Sequence, residues 1–388
     1  MRPKPLIVTT MRPIVFDLKK LSDPRDAIHR AVEGLAAGKL VAIPTETVYG
    51  IGASGLIAPS VRRLYGLKNR PQSFPLIYLV KSAEDALDYI PDMSPFARRL
   101  ARKVWPGPLT ILSKGPHPDS VITRLPEEVQ EMTCGSGWVA LRVPADPVAT
   151  EIMRLNAGPL IMANSGSHEA EPAATVDELL AAIGNELDIV IDAGICRFAQ
   201  QSTVVKIVKD QIEVVRRGVI DEQSLKRMSE VHILIVCTGN TCRSPMGEGL
   251  MRKRLADYFG CTPENLEDFG FKVESAGIAA MPGGGVSSEA VEALQKRGID
   301  ISSHSSQPVT DRLIRQADLI LTMTGTHRQV LLAQWPQASS RTFTITRDNG
   351  DIADPIGLPN EYYEHCARQI DSHLEHWVKD NPLFKKPA

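Results

Sequence analysis

Cys237 and Arg243, with five residues between them, carry the sharpest chemical signal in the sequence. They lie in the stretch 236–245, VCTGNTCRSP, which follows the apolar run 233–236 and precedes a helix-compatible segment over 246–257. A short loop closing onto a helix N-terminus aims several backbone N–H groups at one point, where the helix dipole adds partial positive charge. Such a loop grips an anion and favours a thiolate at its start, which makes Cys237 a candidate nucleophile. Arg243 can fork onto two phosphoryl oxygens, which a lysine cannot do. Thr238, Gly239, Asn240, Thr241 and Cys242 form the loop, with Asn240 suited to holding its shape. Ser244 can cap the helix or hydrogen-bond the thiolate, and Pro245 suits the first helical position. A lone cysteine is usually an inert, buried small hydrophobe. Here that plain reading would require the whole constellation to be coincidence.

A thiolate that attacks phosphorus needs a proton donor for the leaving group. Asp354, in the sequence ADPIG on a loop fixed by Pro355 and Gly357, is the candidate. The first half of the chain carries a separate set. Lys68 and Arg70 lie two residues apart on a proline-limited loop and can converge on a polyphosphate. The same half of the chain carries the rigid turn WPGPLT (105–110), a strand bearing Arg142 and a strand opened by Ser202 and Thr203. Two lookalikes are set aside. Gly50, Gly52 and Gly55 satisfy G-x-G-x-x-G, but no acidic residue closes a second strand about 20 residues on. The run 34–39 is one residue short of a phosphate loop.

The elements that must position these groups follow from periodicity and punctuation. A strand is expected at 14–18, a helix at 23–37 opened by Ser22-Asp23-Pro24, and buried strands at LVAIP and 75–80. Further strands are expected at 139–144 and 201–207. A polar, charged run at 219–231 reads as the inter-domain linker. Beyond it, strand, loop and helix are followed by a strand at 271–277, a helix at 287–297, a strand at 317–323 and a terminal helix at 361–378. Alternation of this kind favours a parallel, doubly wound sheet with ligands at strand C-termini.

The length of 388 residues exceeds one typical core and predicts two domains. The composition, 43% hydrophobic and 23% charged with net charge −2, excludes polyanion binding by bulk charge and gives no strong nucleic-acid signal. No apolar run approaches the roughly 20 residues of a membrane span, and the opening MRPKPLIVTTMRP lacks a signal-peptide core. A cytoplasmic protein with no membrane association is expected. The six cysteines are scattered, without C-x-x-C or zinc spacing, so neither a disulfide framework nor a structural metal is expected.

The stretch CTGNTCRSPM resembles the signature of low-molecular-weight protein tyrosine phosphatases, in its bacterial protein-arginine-phosphatase version. That resemblance implies Asp354 as the acid and a cysteinyl-phosphate intermediate. Tyrosine-specific relatives usually carry an aliphatic residue at Thr241, so the threonine implies phosphoarginine over phosphotyrosine as the group removed from protein substrates. Against this, arginine enzymes carry an aromatic two residues after the acid, where this chain has Ile356.

In the first half, PTETVYGIGA, KNRPxxxPL, WPGPLT, ALRVP, STVV and a closing RRG resemble, in this order, the YrdC-like threonylcarbamoyl-AMP synthases. The resemblance implies a nucleotidyltransferase that converts ATP, L-threonine and bicarbonate, with Mg2+, into threonylcarbamoyl-AMP and pyrophosphate. The product would pass to tRNA-modifying machinery. Lys68 and Arg70 fall on the phosphate-contacting pair and Ser165 on the serine of the Ser-Ala-Asn block of the family pattern. Thr45, Arg142, Ser202 and Arg216 fall on positions that hold threonine or nucleotide. Ser167 replaces an asparagine of that pattern and Phe74 another.

The expected architecture is therefore α/β throughout. A YrdC-like twisted mixed-sheet domain (12–220) is followed by a linker (221–230) and a flavodoxin-like doubly wound phosphatase domain (231–388). The expected function is bifunctional. The alternative left open by Ser167 and Phe74 is a catalytically silent nucleotide- or RNA-binding module that targets an active phosphatase. Arsenate reduction on the same phosphatase fold is disfavoured, because no further close cysteine pair follows Cys242 to relay electrons.

Overall fold

The computed structural model describes residues 12–67, 75–165, 172–348 and 350–384. It divides into two compact units, Met1–Leu225 and Lys226–Ala388. The division falls within the run expected as a linker, and that run is not extended. Residues Glu222–Ser229 form a helix in which Leu225 is buried. Helix-forming Glu, Gln, Leu, Lys and Arg outweigh the polar character that suggested a linker.

The first unit is built on a ten-stranded mixed sheet. Its strands are β1 (Ile14–Asp17), β2 (Val41–Ile43), β3 (Gly50–Ser54), β4 (Ile77–Leu79) and β5 (Leu109–Lys114). β6 (Trp138–Arg142), β7 (Leu160–Asn164), β8 (Ile189–Asp192), β9 (Thr203–Val208) and β10 (Gln211–Arg216) complete it. Their spatial order is β1-β8-β2-β3-β7-β4-β6-β5-β9-β10. Parallel pairs such as β4 with β6 sit beside antiparallel pairs such as β3 with β7. The helix Pro24–Ala36 opens at Asp23, whose side chain accepts the Arg25 N–H, and buries Ala27, Ile28, Ala31 and Leu35. Those residues join β2 and β8 side chains in one core.

The glycines of the rejected dinucleotide fingerprint have a packing reason. Gly50 and Gly52 lie inside β3, not in a phosphate-binding turn. A Cβ on Gly50 would stand 2.2 Å from Met162 Sδ, and one on Gly52 2.8 Å from Ile43 Cδ1. The run 34–39 ends the first helix and likewise forms no phosphate loop.

The second unit carries a four-stranded parallel sheet in the order β12-β11-β13-β14, formed by β11 (Val231–Cys237), β12 (Phe271–Gly277), β13 (Leu319–Thr322) and β14 (Thr342–Thr344). Every residue of β11 is buried, as befits a central strand covered on both faces. Val231, Ile233, Ile235 and Cys237 face a core shared with the helices Arg243–Phe259 and Asn360–Asp380. Leu234 and Val236 face the opposite core, with Leu313, Ile314 and Leu331. This is the doubly wound arrangement, and β11 ends where the chain order reverses between β12 and β13. Among the described residues no helix is long and apolar enough to cross a membrane.

Candidate active sites

The switch point of the second unit is where Cys237 emerges, at the last position of β11. The loop 238–242 then turns directly into the helix Arg243–Phe259. That helix begins three residues earlier than its sequence suggests, so Pro245 occupies its third position rather than its first. Cys242 stands at the N-cap without a capping side chain. Ser244, the alternative cap, lies instead 2.9 Å from Cys237 Sγ.

The loop closes around the sulfur. Asn240 N–H donates to Cys237 Sγ at 3.2 Å, and Asn240 itself is in the left-handed region at φ 57°. Its side chain stabilises that turn. Nδ2 donates to Ser244 Oγ and to Ser275 Oγ, each at 2.9 Å, and Oδ1 accepts Gln307 N–H at 2.9 Å. Ser275 Oγ donates to Glu248 Oε2 at 2.7 Å, while His304 Nε2 lies 3.0 Å from Asn240 O. Burial raises the Glu248 carboxyl above its usual range.

Gly277, paired with Cys237 across β12 and β11, permits the loop's approach. A Cβ there would meet Thr238 O at 2.4 Å and Asn240 N at 3.0 Å.

Arg243 is buried, and both its contacts come from one segment. Nη1 donates to Ile352 O at 3.0 Å and Nη2 to Asp354 Oδ2. Asp354 Oδ1 also accepts the Ile356 N–H at 3.3 Å. The arginine and the expected acid, 111 positions apart in sequence, are thus joined at the mouth of the loop. Such an arrangement can bind an oxyanion between loop amides and guanidinium, with a thiol below and a carboxyl above.

The remaining cysteines lie away from this loop or pack beside or within it. Burial pushes the thiols of Cys366 up to about 12 and Cys196 up to about 11, and raises that of Cys134. These three are packing residues. Cys242 is buried, with its Sγ–H donating to Ser287 Oγ at 3.4 Å, and every cysteine is free.

In the first unit the structure gathers Thr45, Arg142 and Ser165 around the loop that joins β2 to β3. Thr45 Oγ1 donates to Val48 O at 2.6 Å and lies 2.8 Å from Thr47 Oγ1. Arg142 Nη2 donates to Glu46 Oε1 at 2.7 Å and to Thr47 Oγ1 at 2.9 Å. Glu46 Oε2 accepts Ala145 N–H at 2.9 Å, which completes a buried ion pair. Arg142, expected as a direct ligand contact, therefore has its charge balanced by Glu46. Its Nε is buried without a hydrogen-bond partner among the described residues.

Ser165 N–H donates to Tyr49 O at 3.1 Å, and Ser165 Oγ accepts Ala173 N–H at 2.8 Å. Ser202 and Arg216 form an adjoining cluster. The guanidinium donates to Ser202 O and Oγ, and Thr110 Oγ1 lies 3.0 Å from the same Oγ. Asn164 donates to Gln201 at 3.0 Å and so links the two groups. Lys68, Arg70, Phe74 and Ser167 lie outside the described residues.

Comparison with known proteins matches this division. The profile of the Sua5/YciO/YrdC family, described as telomere recombination, matches residues 33–218. That of the low-molecular-weight phosphotyrosine protein phosphatases matches 232–386. The putative threonylcarbamoyl-AMP synthase of Methanocaldococcus jannaschii is 32% identical over 191 residues, which is 49% of this chain and 84% of that protein. The protein-arginine-phosphatase of Bacillus subtilis is 36% identical over 151 residues, 38% of this chain and 94% of that one. The chain belongs to both families. A probable low-molecular-weight protein-tyrosine-phosphatase of Ralstonia nicotianae is also 36% identical, over 147 residues, 38% of this chain and 92% of that protein.

Several residues of the phosphatase-family domain were not singled out from sequence. Ser275, His304 and Gln307 hold Asn240 and Glu248 holds Ser275, yet they are dispersed over a strand, a helix and a loop. Gly277 closes β12 like any strand-ending glycine, and only its approach to Thr238 and Asn240 marks it. In the Sua5/YrdC-family domain, Glu46 and Thr47 were legible only as members of the TETVYG block.

Proposed function

We propose that the chain is a bifunctional enzyme joining threonylcarbamoyl-AMP synthesis to cysteine-dependent removal of phosphate from protein phosphoarginine. The observation that carries the phosphatase half is Cys237 Sγ held by Asn240 N–H at 3.2 Å and Ser244 at 2.9 Å, below the Arg243–Asp354 pair. A phosphoryl dianion over the loop competes for Arg243, and the Asp354 carboxylate, released from the guanidinium, takes up a proton from solvent and faces the leaving atom. Cys237 attacks phosphorus as the bond to the guanidino nitrogen breaks, and the Asp354 proton passes to that nitrogen. Water then attacks phosphorus and gives a proton to Asp354 as the phosphorus–sulfur bond breaks, releasing inorganic phosphate and the thiolate. Loop amides and Arg243 stabilise the equatorial oxygens throughout.

In the synthase half, Thr45, Ser165 and the Arg142–Glu46 pair shape the threonine and nucleotide site, with Ser202 and Arg216 beside it. Lys68 and Arg70 complete the proposal as the pyrophosphate contacts. Among the described residues no three His, Cys, Asp or Glu side chains converge on a metal position. Mg2+ arriving with ATP would take its ligands mainly from phosphates and water, and would neutralise the departing pyrophosphate. The soluble interior of a cell, where ATP and phosphorylated proteins occur, is the proposed setting.

The test uses Cys237→Ser in the full chain. Phosphoarginine turnover should vanish, while threonine- and bicarbonate-dependent pyrophosphate release from ATP stays at the wild-type rate. Phosphatase turnover surviving in the variant overturns the nucleophile. Pyrophosphate release absent from the wild type, with nucleotide still bound, converts the first unit into a binding module.

A further inference from the structure

Thr238 directly follows the Cys237 thiol and is exposed at the loop. Its hydroxyl lies 2.8 Å from Nε2 of His327, a buried residue in the first turn of the helix Gly325–Gln334. The other ring nitrogen, Nδ1, lies 2.9 Å from Thr324 Oγ1. That same Oγ1 caps the helix by accepting the His327 backbone N–H at 3.1 Å.

This geometry assigns the protons. Thr324 Oγ1 already accepts one hydrogen bond, so its own hydroxyl hydrogen is best satisfied by donating to Nδ1. Nε2 then carries the ring hydrogen and donates it to Thr238 Oγ1. The Thr238 hydroxyl hydrogen has no second partner among the described residues and is left for a ligand. Burial pulls the imidazole below its usual range, and Arg243 adds to that. Asp354 and Asp351 oppose it more weakly. The neutral ring is therefore the working form near pH 7.

We propose that His327 is a positioning residue of the phosphatase site, which fixes the Thr238 hydroxyl as a hydrogen-bond donor to a phosphoryl oxygen of the bound substrate. The inference rests on the phosphatase reading given above. Loop amides and Arg243 supply the main field for the anion, and Thr238 adds a side-chain donor whose direction depends on a residue 89 positions away. Without the Nε2–H, the hydroxyl can rotate and turn its lone pairs toward the anion.

The test is a double-mutant cycle in the full chain, with p-nitrophenyl phosphate and phosphoarginine as substrates. Thr238→Val removes the donor at an exposed position and should fold. His327→Phe keeps the ring's shape and removes both nitrogens. Each should lower kcat by about tenfold with KM changed far less, as expected for a single donor among several. The double variant should be no slower than the slower single one. His327→Gln, which keeps an amide donor, should recover part of the loss. Thr238→Val turning over at the wild-type rate overturns the proposal, and so do fully additive losses in the double variant. Turnover that persists in Cys237→Ser would instead remove the phosphatase reading itself, so the two failures are distinguishable.

Discussion

Thr241 sits half-buried on the phosphate loop, with its Oγ1 3.6 Å from Cys242 Sγ. Around the acid, Ile356 is 66% exposed and Leu358 44%, so these two side chains offer aliphatic surface rather than a ring on which a tyrosine could stack. Polar contacts to the leaving group can discriminate, and besides the hydroxyl of Thr238, which is assigned to a phosphoryl oxygen, the loop offers that of Thr241. A hydroxyl there can hydrogen-bond a guanidinium, whereas an aliphatic side chain would leave that group unpaired. Thr241→Ile is expected to shift the ratio of kcat/KM values for phosphoarginine and phosphotyrosine by about tenfold toward phosphotyrosine. Measuring both substrates with both proteins decides it, and an unchanged ratio sinks the role given to Thr241.

The strand β12 shows how an element can be legible while its contacts are not. Its seven residues follow from the alternating pattern FKVESAG, and the expected and observed boundaries coincide. The partner of Glu274 could not be read from that pattern. In the folded chain His232 Nε2 lies 2.7 Å from Glu274 Oε2 and Lys272 Nζ 3.1 Å from Oε1. Burial pushes the Glu274 carboxyl up, but His232 and Lys272 together outweigh it and hold the group down to about 2, against an ordinary 4.5.

A carboxyl depressed on folding contributes stability above its unfolded value and loses it as pH falls through the folded one. The contribution is therefore complete above pH 4.5 and disappears between 4.5 and about 2. Glu274→Gln should flatten the dependence of Tm on pH across that window. Equal acid sensitivity of the two proteins would count against the assignment.

At the scale of the whole molecule, the described residues that form the core beneath the helix after the loop all belong to the second unit. Ile235 is fully buried there and packs against the helix after the phosphate loop, where a Cβ on Gly247 would lie 3.1 Å from its Cγ2. Ile235→Ala leaves a cavity worth about 2–5 kcal/mol. The expected result is a lower inactivation temperature for the phosphatase, with pyrophosphate release from ATP unchanged. A parallel loss of both activities would show that the two units stand or fall together.

The amino-acid sequence alone determined the α/β class, the strand–loop–helix segment that carries Cys237 and Arg243, and the order of blocks in the first unit. Each of these is carried by residues close in sequence, or by a pattern whose period matches a strand or helix. Tertiary structure decided what depends on residues brought together from far apart. The balance of Arg142 by Glu46 spans 96 positions, and the clamp of Asp354 on Arg243 spans 111. The close approach permitted by Gly277 and the hold of His327 on Thr238 belong to the same class. Hydrogen bonds and ion pairs are short-ranged, and a sequence does not state which distant strand or helix will supply the second partner until the cores have packed.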